Sequence, residues 1–156
     1  MKKITFILIL LSAFNAFAAP VKLTGFGIGA LIGNPTAVSF KGHMGNSRYF
    51  DVAVANNSTP ADGLYIHGDY LFEKPEAFQI QAELFDLYYG FGGRLYWADT
   101  KKHNGEAHLG ARIPVGVSYY FKEPSVEVFG ELAGILELTP ESELIAQFGV
   151  GARYWF

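Results

Sequence analysis

The sequence predicts an all-β fold: an eight-stranded antiparallel up-and-down transmembrane β-barrel, preceded by a cleaved signal peptide. Three observations point there. Half of the 156 residues are hydrophobic, yet no later stretch approaches the ~20 apolar residues of a spanning helix. Apolar residues instead alternate with small and polar ones, which is the period of a strand. The last segment shows this most clearly: Leu144, Ala146, Phe148, Val150, Ala152, Tyr154 and Phe156 form one wholly apolar face.

The N-terminus reads as an export signal. Met1, Lys2 and Lys3 form a charged start, Ile4 to Phe14 a short apolar core, and Ala16-Phe17-Ala18 a small-x-small cleavage site. The expected organisation is therefore residues 1–18 as signal peptide and residues 19–156 as one barrel. The chain has no cysteine, which excludes a lipid-anchored lipoprotein and a disulfide framework. Without Lys2 and Lys3, 10 of the 12 basic residues remain against 15 acidic ones. A mildly acidic chain with no basic run argues against nucleic acid as partner.

Eight strands are expected at roughly 22–32, 36–43, 48–55, 63–72, 87–98, 106–121, 125–138 and 143–156. Gly33-Asn34-Pro35, Met44-Gly45-Asn46-Ser47 and Lys122-Glu123-Pro124 are tight turn signals. Residues 56–62, 99–105 and 139–142 read as polar loops. The stretch from Glu73 to Asp86 stays open. Its alternation over 78–84 is out of phase with the strand from Leu87, and an extension, a short helix and an extra strand all fit.

Past the terminal Lys22 and Arg48, one face of every expected strand lacks charge, as in Val38 and Phe40, or Ile113, Val115 and Val117. The other face holds Asp51, His67, Asp69, Arg94, His108, Arg112, Glu127, Glu131, Glu137 and Arg153. Period alone does not say which face points outward. A soluble barrel exposes a face dense in Lys and Glu, whereas this polar face is Gly, Tyr and isolated charges. The six lysines after the signal segment lie mostly at expected strand ends or in turns. Apolar-out, in lipid, is the reading adopted, and backbone pairing in lipid then requires a closed sheet.

An even strand count puts both termini on the periplasmic side, so odd strands start there and even strands end there. Phe26, Phe50 and Tyr89 open odd strands, and Phe40, Tyr70, Phe72, Tyr119 and Phe121 close even ones. Together they form an expected periplasmic aromatic girdle. On the opposite side Trp97 is the one evident counterpart.

With Gly151, Tyr154 and Phe156, the final strand resembles the assembly signal of bacterial outer-membrane barrels. Gly149 stands where that signal usually carries a polar residue. The whole segment after the signal peptide resembles a small eight-stranded outer-membrane barrel of the OmpA/OmpX type. The runs Leu87 to Arg94 and Arg112 to Phe121 look more narrowly like a family of small bacterial barrels that brings no established activity with it. The resemblance implies residence in the bacterial outer membrane, contact with its lipid, delivery by the barrel-assembly machinery, and a monomer.

Candidate chemistry lies on the inward face. An eight-stranded interior is just wide enough to be filled by side chains, and buried charges must pair. Arg94, Arg112 and Arg153 against Glu127, Glu131 and Asp69 are the expected network. It reads as a plug of ion pairs, with a charged conduit as the alternative. Gly25, Gly27 and Gly29 are expected beside Gly149 and Gly151. Two readings are open for them: the wall of a ligand cavity, or room for Tyr65, Tyr88, Tyr96, Phe129 or Trp155 reaching across. His43, His67, His103 and His108 show no metal-ligand spacing. Lipid A deacylases carry a His-x-Ser pair, which is absent here, although Ser58 and His103 could meet above the rim. The expected function is thus a non-enzymatic structural or interaction role with no catalytic, cofactor or metal site. A narrow pore for small solutes is the first alternative, and a lipid-modifying hydrolase or acyltransferase the second.

Overall fold

A computed structural model describes residues 24–56, 63–98 and 107–156. They form eight strands: β1 Phe26–Gly33, β2 Ala37–Gly45, β3 Arg48–Asn56, β4 Gly63–Ile80, β5 Glu83–Ala98, β6 Ala107–Phe121, β7 Val126–Thr139 and β8 Glu143–Trp155. Each strand pairs antiparallel with its sequence neighbour, and β1 pairs with β8 to close the barrel. Closure removes every sheet edge, so each strand finds two partners.

Alternation sets the two surfaces. Ile32, Val38, Ile113, Leu132, Leu144 and Phe148 point outward and are exposed, Leu144 to 80%. Lys41, Asp51, His67, Arg112, Glu127 and Arg153 point inward and are buried. The barrel is therefore inside-out relative to a water-soluble one, with apolar side chains outside and ionised ones within.

The turns follow from local chemistry. Asn46 and Ser47 join β2 to β3 with φ of 50° and 56°. Two central residues in the left-handed region define the turn whose twist matches a two-residue hairpin, and Asn suits it. Gln81 and Ala82 join β4 to β5 with Gln81 at φ 59°. This turn was not expected, because it lacks Gly, Asn and Pro.

That turn settles the open stretch from Glu73 to Asp86. It is a hairpin extension of β4 and β5, in which Ile80 lies opposite Glu83, Gln79 opposite Leu84 and Phe78 opposite Phe85. A two-residue turn pairs even positions with odd ones, so Phe78 and Phe85 share a face and their rings stack at 5.5 Å. The apparent phase conflict was the turn itself. Between Lys74 and Phe78 the register slips in a bulge. Glu76 takes φ 51° there, and its N–H donates to Asp86 Oδ1 at 2.7 Å.

Strand bounds differ from expectation mainly at these places. β1 begins at Phe26 rather than at residue 22, and β4 and β5 are longer by the hairpin. Gly25 precedes β1 at φ 106°. The glycine register also differs in part: Gly27 lies opposite Trp155, Gly29 opposite Arg153, and Gly149 opposite Gly33. Gly151 lies opposite Leu31.

Candidate functional site

The barrel interior is filled by one continuous polar network crossed by aromatic rings. It begins at the end of the barrel where β1 starts and β8 ends. There Lys41 of β2 is wholly buried. Its Nζ donates to Glu73 Oε2 at 2.8 Å, Tyr120 OH at 2.9 Å and Glu127 Oε1 at 2.9 Å. Three donors thus meet three acceptors, which is the full capacity of an ammonium. The rings of Tyr49, Tyr88 and Tyr120 surround the same ammonium, Tyr49 with its centroid at 4.5 Å.

Glu127 is the hub of this end. It also accepts from Ser118 Oγ at 2.8 Å and Trp155 Nε1 at 3.1 Å, and Arg153 NH1 lies 3.3 Å away. Arg153 lies over the Phe129 ring at 3.7 Å, donates from Nε to Ser39 Oγ at 2.8 Å, and pairs through NH2 with Asp51. One arginine therefore ties β8 to β2, β3 and β7.

The middle layer belongs to Arg112 of β6, which pairs with both Asp69 and Glu131. Its two terminal nitrogens take different carboxylates, so it bridges β4 and β7. Tyr88 OH donates to Glu131 Oε2 at 3.1 Å. Beside them Tyr65 OH donates to Gln147 Oε1 at 2.8 Å and lies 3.1 Å from His67 Nδ1. Toward the other end, Arg94 NH2 donates to Glu137 Oε2 at 2.9 Å, and His108 Nδ1 lies 2.9 Å from Glu137 Oε1.

Every inward residue named from sequence is thus placed inside the barrel. Asp51, His67, Asp69, Arg112, Glu127 and Arg153 are buried, while Arg94, His108 and Glu131 are half-buried. The pairings are partly different from those expected. Asp51 joins as the partner of Arg153, and Arg94 takes Glu137. Two charged members were missed. Lys41 read as a lysine near a strand end, yet it is the most enclosed cation of the network. Glu73 fell in the open stretch and proves to be the last inward residue of β4 before the bulge. The spacing from Asp69 through Leu71 to Glu73, two residues each, was the available signal.

The inward glycines make room for rings. A Cβ on Gly27 would lie 2.9 Å from the Trp155 ring, and one on Gly151 within 2.7 Å of Phe129 Cε1. Small residues here face large ones and the taper fills. Ser58 and His103 lie outside the described residues.

Outside, the aromatics form a band at the end where Lys41 lies. Phe156 stacks on Phe26 at 5.3 Å, Phe26 on Phe40 at 5.7 Å, and Phe40 packs on Phe50 at 5.5 Å. Tyr70, Phe72, Phe85, Tyr89 and Phe91 continue it over β4 and β5, and Tyr119 and Phe121 over β6. Tyr154 closes the circuit on Phe156 at 5.0 Å. β7 adds Val126 and Val128 instead.

The arrangement defines a closed eight-stranded antiparallel barrel with an ion-paired interior and an apolar exterior. The same fold is found in the crystal structure of the N-terminal β-barrel domain of OprF from Pseudomonas aeruginosa. The two agree with a TM-score of 0.53 over 83% of this chain and 95% of that one, at 16% sequence identity. No protein-family model matches the chain, and no curated protein matches it.

Proposed function

We propose that this chain is a small integral protein of the bacterial outer membrane with a non-enzymatic structural or docking role and a lumen closed by ion pairs. The observation that carries the reading is the inverted surface: aliphatic side chains exposed around the barrel, an aromatic band at one rim, and the charges inside. In water such an exterior would drive aggregation. In a bilayer it matches the hydrocarbon, and the band matches the interface. The OprF-like fold is in keeping with it.

The interior favours a plug over a pore. Lys41, Arg112 and Arg153 are each held by two carboxylates from different strands. Moving any of them to admit a solute would strand a buried charge. Among the described residues, the buried serines Ser39 and Ser118 are engaged by Arg153 and Glu127. Lipid is the expected partner, with the assembly machinery during biogenesis and a monomer thereafter. Both termini would face the periplasm, since an even number of strands places them on one side of the membrane.

Expression of the full sequence in a Gram-negative host tests the assignment. The protein should co-sediment with the outer membrane on a density gradient, resist urea extraction and run faster on gels unheated than boiled. Recovery as a soluble periplasmic protein would refute it.

A further inference from the structure

Asp51 and Asp69 sit directly opposite each other on β3 and β4. Like charges so placed destabilise a sheet unless something positive lies between them. His67, two residues from Asp69, directs Nε2 toward both, 3.5 Å from Asp51 Oδ1 and 3.8 Å from Asp69 Oδ2. These separations exceed an N–H···O hydrogen bond. They suit two ligands sharing one ion: metal–ligand bonds of about 2.1 Å at angles of about 110–130° separate ligand atoms by about 3.4–3.8 Å.

The far side of His67 is set for the same purpose. Tyr65 gives its hydroxyl proton to Gln147, so its oxygen, 3.1 Å from His67 Nδ1, is open to accept from the tautomer that carries its proton there. In that tautomer the lone pair lies on Nε2, facing the two carboxylates. A ligating histidine is typically oriented by a hydrogen bond at its other nitrogen in this way.

Asp69 Oδ2, the oxygen 3.8 Å from His67 Nε2, also accepts from Arg112 and would ligate through its second lone pair, while Asp69 Oδ1 is buried with no hydrogen-bond partner. The connected cluster around these residues holds five carboxylates (Asp51, Asp69, Glu73, Glu127, Glu131) against three fixed cations, Lys41, Arg112 and Arg153. The acidic groups outnumber the fixed cations by two.

We infer that Asp51, His67 and Asp69 form a buried site for a divalent transition metal inside the barrel. The three ligand atoms lie within 4.8 Å of one another. One imidazole and two carboxylates suit zinc, cobalt and related ions better than calcium. Arg153 stays on the other oxygen of Asp51, so binding leaves that ion pair in place. The ion would join β3 to β4 and relieve their opposed acids, whether or not the barrel conducts.

The test refolds the full barrel in detergent with excess Zn2+, dialyses against metal-free buffer and counts bound zinc by mass spectrometry. One ion per barrel is expected. His67→Gln and Asp51→Asn should each cut this at least tenfold, and His108→Gln should leave it at one. Tyr65→Phe keeps all three ligands and should weaken retention about tenfold. Gel mobility without boiling reports folding, and Tyr65→Phe serves if a ligand variant does not fold. Metal-free wild type after this loading, or zinc retained at one per barrel in folded His67→Gln, would overturn the site.

Discussion

Lys41 Nζ lies 2.9 Å from Glu127 Oε1, and neither side chain is exposed. An ion pair so enclosed contributes little as a pair, but removing one partner leaves a charge with no solvent. Lys41→Met would strand Glu73 and leave Glu127 short of a cation, with Arg153, shared with Asp51, as its remaining ion pair. It should destabilise the barrel by about 3–5 kcal/mol in urea titrations in lipid vesicles. Lys41→Met with Glu127→Gln should cost less than the two single changes summed, because the second substitution removes a charge the first leaves short of a cation.

Glu131 accepts from Arg112 and from Tyr88. Glu131→Gln keeps the shape and removes the charge. Arg112 retains Asp69, so the loss should fall at or below ~3 kcal/mol, smaller than for Lys41→Met. The same unfolding titration checks the order.

Val115 and Ser118 share β6 and face opposite ways: Val115 is outward and exposed, Ser118 inward and enclosed. Val115→Arg should cost about 2–4 kcal/mol if the outer face meets mid-bilayer lipid. Ser118→Ala removes one of several donors to Glu127 and should cost about 1 kcal/mol. Equal tolerance at the two sites would count against lipid on the outer face.

Phe156 closes the barrel seam. Its N–H donates to Phe26 O at 2.9 Å, and its ring lies between those of Phe26 and Tyr154. Deleting Phe156 should leave the protein in the periplasm or degraded, read as loss of the fast-migrating unboiled band from outer membranes. Normal assembly after the deletion would argue against the role of this terminal strand.

The barrel was largely legible because period two is a local property, and Val115 and Ser118 show their faces from three residues of spacing. The face pattern did not depend on knowing which strands pair. Lys41 was hidden because a lysine in a strand reads as a solvated end, and only register shows it ringed by Tyr49, Tyr88 and Tyr120. The Gln81-Ala82 turn was hidden because neither residue is a turn former. Asp51 meeting Asp69 and His67 depends on how β3 pairs with β4, across a loop whose length sequence spacing does not translate into register.

The most direct test of the central claim, a membrane barrel sealed by its own charges, is single-channel recording on the wild-type protein. The protein is refolded into lipid vesicles, its folded state verified by unboiled gel mobility, and then fused to a planar bilayer. The ion-paired interior predicts no steady conductance from folded, inserted barrels, and Lys41→Met should be the variant that begins to leak. Large, stable conductance steps from wild-type protein would contradict the plug and establish a pore.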